Sequence, residues 1–118
     1  MYETDIVIAG AGPAGCTFAL SVSDEISITI IEQKPIIELG HDWIDGFDLR
    51  IVKNYEFLKY VDKISDSASI NFYTPDGSSR LSAPLIERID VDRKILAKNL
   101  VSALKKRSNI QFIEHATK

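Results

Sequence analysis

Three glycines near the amino terminus follow the pattern Gly10-x-Gly12-x-x-Gly15. This spacing lets a turn of backbone hold a pyrophosphate. The first glycine permits a tight turn, the second leaves room for the phosphates, and the third lets a following helix pack closely. The amino end of that helix adds unpaired N–H groups and a partial positive charge. The motif therefore predicts a binding site for a dinucleotide.

An acidic residue at the expected distance supports this prediction. Glu32 lies 22 residues after Gly10, and the motif expects an acid about 20 residues on, at the end of the second strand. A carboxylate there can accept hydrogen bonds from ribose hydroxyls. The alternative is that Glu32 is a surface residue at a strand end. The order of strand, glycines, helix, strand and acid favours nucleotide binding.

The elements around the motif are predicted to form a βαβ unit. Residues 5–9 are apolar and β-branched, which is typical of a parallel strand buried on both faces. Pro13 suits the first turn of a helix that runs to about residue 23. Residues 27–32 are rich in isoleucine and predict a second buried strand. A crossover of this kind is nearly always right-handed.

The rest of the chain predicts one more helix and strand beyond a variable region. Residues 33–46 are expected to be loop and residues 47–61 a helix, and a β-hairpin insertion is expected at about 69–84. Asp92 is a predicted N-cap for a helix with leucines at 96, 100 and 104, and residues 110–114 predict a third strand. The predicted fold is α/β, a Rossmann-like sheet of three parallel strands in the order 3-2-1.

Composition excludes several classes of function. The 118 residues are 45% hydrophobic and 26% charged with a net charge of −3, which indicates one globular domain and no nucleic-acid partner. The uncharged run from residue 6 to 22 follows Glu3 and Asp5 and contains glycines and proline, unlike a signal peptide or a membrane span. One cysteine, Cys16, excludes an internal disulfide and a multi-cysteine metal site and fits a reducing compartment, so we expect a cytoplasmic protein.

Residues 5–15, Asp-Ile-Val-Ile-Ala-Gly-Ala-Gly-Pro-Ala-Gly, and 30–35, Ile-Ile-Glu-Gln-Lys-Pro, resemble the amino terminus of FAD-dependent oxidoreductases. Aromatic-ring hydroxylases and geranylgeranyl reductases are the most similar groups. The resemblance implies FAD as the cofactor, whereas the spacing of the glycines alone leaves NAD(H) open. It covers most of the chain, strongly at residues 4–35 and 89–115.

Residues 89–100 are similar to a family helix that begins with an arginine, which implies that Arg93 lies near the ribose and phosphates of the flavin. A cation in the first turn of a helix is disfavoured by about 0.3–1 kcal/mol, and such departures are common at functional positions. The alternative is that Asp90 and Asp92 neutralise Arg93 in a surface ion pair. The resemblance also implies that backbone near Ala116 borders the adenine.

The candidate cofactor-binding residues are drawn from the glycine motif, the end of the second strand, the arginine helix and the end of the third strand. No residue is assigned as a catalytic acid or base, and no metal site is expected. Cys16 is expected to pack as an apolar residue. The loop from His41 to Trp43 is expected to be structural, with a half-buried tryptophan, and the alternative is that it lies near the substrate or the flavin. The candidates are Gly10, Gly12, Pro13, Ala14, Gly15, Glu32, Gln33, Lys34, Arg93 and Ala116.

Members of the family are longer and carry a later Gly-Asp-Ala type motif and a substrate chamber, neither of which occurs in these 118 residues. The resemblance therefore implies an incomplete FAD/NAD(P)-binding domain over residues 1–118, inactive alone. An apolar or aromatic substrate would be held by a missing carboxyl-terminal part, with NAD(P)H as a candidate electron donor. The predicted function is the FAD-binding portion of a flavin-dependent oxidoreductase. The alternatives are an NAD(H)-binding dehydrogenase domain and a non-catalytic nucleotide-binding module.

Overall fold

The structure is a computed structural model that describes residues 3–48, 59–61, 63–65, 69–84 and 88–116. Within these ranges the chain forms two α-helices, one complete 3-10 helix and eight strands, and residues 59 and 60 belong to a further 3-10 segment. In chain order they are β1 (Ile6–Ala9), α1 (Pro13–Ser21), β2 (Ile28–Ile31), a 3-10 helix (Ile36–Glu38), β3 (Ile44–Asp48), β4 (Lys63–Ser65), β5 (Ser69–Tyr73), β6 (Arg80–Pro84), β7 (Arg88–Asp92), α2 (Arg93–Lys105) and β8 (Ile110–Ile113).

A parallel sheet of three strands carries the glycine motif. Strand β2 lies between β1 and β8, with Ile28 opposite Ile6 on one side and Ile110 on the other. The predicted order 3-2-1 and the βαβ unit are confirmed. Because the three strands are parallel, their carboxyl ends meet at one edge of the sheet, where nucleotides bind in open α/β folds.

Helices α1 and α2 pack against each other, and their buried residues join those of β2 in one core. The predicted leucine stripe on α2 is confirmed, because Leu96, Leu100 and Leu104 are all buried. The predicted N-cap is also confirmed. The carboxylate of Asp92 accepts hydrogen bonds from the backbone N–H groups of Lys94 and Ile95.

Burial of the first strand differs from expectation. Strand β1 has residues of intermediate burial alternating with exposed ones, and Val7 is 58% exposed. The prediction that this strand is buried on both faces is therefore wrong. The physical reason is that the core covers one face of β1, where Ile6 and Ile8 pack against it, whereas Val7 lies on the opposite face.

A second sheet was not predicted from the sequence. Strands β3 and β4 both pair antiparallel with β7, in the order β3-β7-β4. The expected loop over 33–46 thus contains the 3-10 helix and the start of β3, and the expected helix over 47–61 is wrong at Phe47 and Asp48. Residues 49–58 lie outside the described ranges. Pairing with the buried residues Ile89 and Val91 overrides the local helical spacing.

The predicted hairpin insertion is confirmed. Strands β5 and β6 pair antiparallel, with Phe72 opposite Leu81, and Gly77 turns the chain with a φ of +71°. The carboxylate of Asp76 accepts hydrogen bonds from the Thr74 hydroxyl and from the backbone N–H and hydroxyl of Ser78. Residues 71–82 are all exposed. Neither of the two described helices is both long and apolar enough to span a membrane.

Candidate functional site

The glycine motif forms a turn at the carboxyl end of β1. The backbone N–H of Gly10 donates to the carbonyl of Ile31 at 2.7 Å, which extends the sheet by one bond. Gly10 then adopts a φ of +92°, in the left-handed region that favours glycine. Gly12 is the N-cap of α1 and Pro13 is its first residue. The turn therefore directs the amino end of α1 toward the edge of the parallel sheet.

Two glycines in the turn meet opposite surroundings. A Cβ atom on Gly15 would lie 2.8 Å from the carbonyl oxygen of Gly10 and 2.9 Å from Cγ2 of Ile8, so any side chain there would force the helix off the sheet. A Cβ atom on Gly12 would meet nothing within 4 Å. The close packing predicted for Gly15 is confirmed. The space at Gly12 is open to a ligand, which is the arrangement a phosphate needs.

Glu32 follows β2 directly and binds the glycine turn. Its Oε2 accepts a hydrogen bond from the backbone N–H of Ala11 at 2.8 Å. Its Oε1 accepts from the N–H groups of Gln33 at 2.8 Å and Lys34 at 3.0 Å. The bond from Ala11, followed by that from Lys34, holds the pKa of Glu32 below its ordinary value. The carboxylate is ionised at neutral pH, and its remaining lone pairs can accept hydrogen bonds from a ligand.

A cavity of about 330 Å³ lies between the glycine turn, the end of β2 and the start of α2. We call it the cradle. Its walls include Gly12 and Pro13 from the turn, Glu32 and Lys34 from the second strand end, and Arg93 from α2. The segment 38–41 closes the remaining side. The backbone of the glycine turn, the cationic side chains of Lys34 and Arg93, and the carboxylates of Glu32 and Glu38 thus line one space.

Arg93 is the first residue of α2, where sequence reasoning expects it near the phosphates. Its Nε lies 3.2 Å from Oδ2 of Asp45 on β3. The alternative of a pair with Asp90 or Asp92 is not what the structure shows, since the Asp92 carboxylate caps α2 instead. A second cavity of about 670 Å³ beside α1 is also lined by Pro13 and Arg93, together with Ala14 and Asp45.

The predicted site residues divide into four groups. Gly12, Pro13, Glu32, Lys34 and Arg93 line the cradle. Gly10 and Gly15 shape the turn, and Ala14 lines the second cavity. Gln33 and Ala116 meet Glu32 through the backbone. The N–H of Gln33 donates to the Glu32 carboxylate, and the N–H of Ala116 donates to the Glu32 carbonyl at 3.0 Å.

Sequence reasoning missed the segment that closes the cradle. Gly40 has a φ of +93°, and a Cβ atom on it would lie 2.7 Å from the Cα of Lys94. This glycine lets the loop approach α2 so closely that His41 lines the cradle. Trp43, expected to be half-buried, is 63% exposed. Gly40 was the available signal in the sequence for this close approach. Its partner on α2, Lys94, lies more than 50 residues later in the chain, so the contact could not be predicted.

Cys16 lies on α1 one residue after Gly15. It is 1% exposed, and its thiol donates to the carbonyl of Ala11 at 3.3 Å. Burial, followed by the nearby charge of Glu32, raises the pKa of the thiol to about 11. A neutral, inaccessible thiol is a poor nucleophile. The packing role expected for Cys16 agrees with this environment.

No family model matches this chain. A curated relative, 3-hydroxybenzoate 4-monooxygenase of Comamonas testosteroni, is 35% identical over 81 residues, which cover 63% of this chain and 12% of the relative. Among solved structures, PqsL of Pseudomonas aeruginosa, described as a probable FAD-dependent monooxygenase, has a TM-score of 0.72 at 12% identity and covers 97% of this chain and 33% of its own. The p-nitrophenol 4-monooxygenase PnpA of Pseudomonas putida DLL-E4 has a TM-score of 0.65 at 12% identity, over 96% of this chain and 32% of its own.

The chain matches only part of each of these similar proteins. The chain covers about an eighth of the length of the curated relative and about a third of the length of the two solved structures. At identities of 12%, the solved structures establish the fold alone. The resemblance to geranylgeranyl reductases stays a prediction. In sequence and in fold, the chain is similar to FAD-dependent aromatic monooxygenases, as the resemblance at residues 5–15 and 30–35 implied.

Proposed function

We propose that this chain binds FAD by its adenosine diphosphate half, as the nucleotide-binding portion of a flavin-dependent oxidoreductase that acts on an apolar or aromatic substrate. One observation carries the proposal. The open space at Gly12 and the ionised carboxylate of Glu32 face the same cavity. A diphosphate needs the first and a ribose needs the second.

The residues of the cradle fit the proposed cofactor in charge and in shape. The amino end of α1 supplies backbone N–H groups for phosphate oxygens. Lys34 and Arg93 supply positive charge, and Glu32 supplies an acceptor for ribose hydroxyls. Gly10 and Gly15 keep the turn in shape, and Pro13 and Ala14 begin the helix. Gln33 and Ala116 would border the adenosine through their backbone near Glu32.

When bound, a flavin supplies the hydride or oxygen chemistry, while the protein binds, orients and tunes it. This chain would contribute binding and orientation. The names of the similar proteins favour an aromatic substrate for the whole enzyme, because 3-hydroxybenzoate and p-nitrophenol are aromatic and one PqsL structure holds 2-aminobenzoylacetate. We propose NAD(P)H as the electron donor. We also propose a cytoplasmic location, on the ground that the single cysteine suits a reducing compartment.

The proposal is tested by calorimetric titration of the 118-residue chain with FAD, ADP and NADH. Binding of FAD and ADP, with NADH binding no more tightly than ADP, is the expected result. Tight NADH binding without FAD binding would assign the chain to the NAD(H) dehydrogenases instead. Weak ADP binding without any preference for FAD would indicate a non-catalytic nucleotide module.

A further inference from the structure

Arg93 lies where the two cavities beside the amino end of α1 meet. Arg93 and Pro13 line both the cradle and the second cavity. A ligand whose phosphates lie over the open space at Gly12 therefore occupies the same cavity that Arg93 lines. The direction in which this group presents its N–H donors decides how well it can hold an anion, because the guanidinium is a planar fork and not a point charge.

Asp45 contacts the guanidinium of Arg93 on its Nε side. Its Oδ2 lies 3.2 Å from Nε of Arg93, and the two side chains are 34% and 35% exposed. Among the described residues, Asp45 is the only acceptor within ion-pair distance of Arg93. The contact uses Nε, so the two terminal nitrogens with their four N–H donors stay available for a ligand.

The backbones of both residues are held in place by the second sheet. Asp45 is paired with Val91 across β3 and β7, and β7 leads directly into α2. The N–H of Arg93 donates to the carbonyl of Trp43 at 3.0 Å. Asp92, the last residue of β7, caps α2 with its side chain. The two side chains therefore start from fixed neighbouring points, which favours one orientation of the guanidinium.

We propose that Asp45 is a positioning residue that holds the guanidinium of Arg93 by its Nε and turns the terminal nitrogens toward the diphosphate of the bound nucleotide. The inference rests on the proposed function. An arginine side chain loses much rotamer freedom when it binds a ligand, and prior orientation reduces that cost. Without this role, a carboxylate beside a diphosphate would only repel it.

The two possible roles of Asp45, repelling the diphosphate or orienting Arg93, predict opposite changes in ADP affinity when Asp45 is replaced. Asp45→Asn removes a negative charge near the proposed phosphate position. If Asp45 acts only as a charge, the substitution strengthens ADP binding. If Asp45 orients Arg93, the substitution weakens ADP binding, by about five- to tenfold for a coupling in the usual range of contacting pairs. In an Arg93→Gln background there is no guanidinium to orient, so Asp45→Asn is expected to cause no loss of ADP affinity.

The experiment is a double-substitution cycle, with calorimetric titration of ADP into the wild-type chain, Asp45→Asn, Arg93→Gln and the double variant. Adenosine is the second probe, since it lacks phosphates and its affinity is expected to be equal in all four proteins. Asp45→Glu keeps the carboxylate and is expected to restore part of the affinity. Circular dichroism and the thermal midpoint of each variant identify any loss of fold. Should Asp45→Asn unfold the chain, Asp45→Glu is measured with and without Arg93→Gln, and a loss of ADP affinity that occurs only in the presence of Arg93 supports the positioning role.

Each outcome separates the two proposals. Failure of the wild-type chain to bind ADP overturns the proposed function and this inference with it. If the wild-type chain binds ADP but Asp45→Asn binds it equally or more tightly, the proposed function stands and the positioning role is wrong. A loss of equal size with and without Arg93, or an equal loss for adenosine, would also contradict the positioning role.

Discussion

At the scale of single residues, the carboxylate of Glu32 connects the glycine turn after β1 to the residues that follow β2. It accepts hydrogen bonds from Ala11 in the glycine turn and from Gln33 and Lys34 after β2. These bonds lower its pKa. The stability they contribute is therefore present above the ordinary pKa near 4.5 and is lost as the pH falls through the lower folded value. One side chain thus both shapes the turn and faces the ligand cavity.

Replacement of Glu32 by alanine is expected to weaken FAD binding by about 1.5–3 kcal/mol, the usual contribution of hydrogen bonds to a charged group. The loss has two sources, since the ribose loses an acceptor and Ala11 loses its partner. Calorimetric titration measures it. Glu25→Ala is the matched control, because Glu25 is exposed and lies outside the cradle, and its affinity should equal that of the wild type. Unchanged affinity in Glu32→Ala would mean that Glu32 only ends a strand.

Residues whose roles depend on local geometry could be predicted from the sequence. The spacing of Gly10, Gly12 and Gly15 prescribes a turn, and Glu32 follows at the distance that a strand end requires. The partner of Arg93 could not be predicted in this way. Asp45 lies 48 residues earlier and reaches Arg93 only through the second sheet, whereas Asp90 and Asp92 are close in sequence.

At the scale of helices and strands, Arg107 connects the chain after α2 to the end of α1. Helix α2 ends at Lys105, the first residue of a basic run at 105–107. Arg107 donates to the carbonyls of Ala19 at 3.0 Å, Leu20 at 3.1 Å and Val22 at 2.7 Å, at the end of α1. Its guanidinium also pairs with Asp24. Arg107 therefore satisfies the last carbonyls of α1, which have no partner in their own helix.

Arg107→Ala is expected to lower the free energy of unfolding by about 2–3 kcal/mol, because charge-assisted hydrogen bonds to the end of α1 are lost. Urea denaturation followed by circular dichroism measures the change. The neighbouring exposed residue offers a control, since Lys106→Ala should stay within about 0.5 kcal/mol of the wild type. Equal stability of the two variants would show that the α1 carbonyls are satisfied equally well by water.

The turn of the β5–β6 hairpin depends on the charge of Asp76. Hydrogen bonds from the Thr74 hydroxyl, followed by the N–H and hydroxyl of Ser78, lower the pKa of Asp76 to about 2. The contribution to the turn is present above the ordinary value of 3.8 and is lost as the pH falls through about 2. We expect the amide resonance of Ser78 to titrate near pH 2 in NMR spectra and to lose this transition in Asp76→Asn. A midpoint at or above 3.8 would contradict the hydrogen bonds of the turn.

The elements that were predicted correctly are those whose sequence pattern lies within one short segment of the chain. The βαβ unit, the hairpin and the leucine stripe of α2 each have their pattern within one short segment. The β3-β7-β4 sheet has no such pattern, because Gly46 interrupts β3 and its partner strand lies more than 40 residues away. Long-range pairing decided the conformation there. The second sheet nevertheless matters for the site, because it sets the start of α2.

The whole molecule is more extended than a compact chain of its length. The radius of gyration is 18.0 Å, whereas a compact domain of about 120 residues has one of roughly 13–14 Å. The hairpin is exposed, and its paired residues Phe72 and Leu81 are 54% and 68% exposed. The cradle, by contrast, is built from the packed βαβ unit and α2. Nucleotide binding is therefore expected to depend on this packed part and not on the hairpin.

The account as a whole depends on the open space at Gly12, and the affinity of Gly12→Val for FAD tests it most directly. Nothing lies within 4 Å of a Cβ at this position, so the fold should persist, while the valine side chain occupies the space proposed for the phosphates. Ser102→Val is the control, since it places the same side chain on an exposed position of α2 outside the cradle. We predict that Gly12→Val retains the circular dichroism of the wild type and loses FAD binding, while Ser102→Val binds FAD normally. A folded Gly12→Val protein that binds FAD with wild-type affinity would contradict the account.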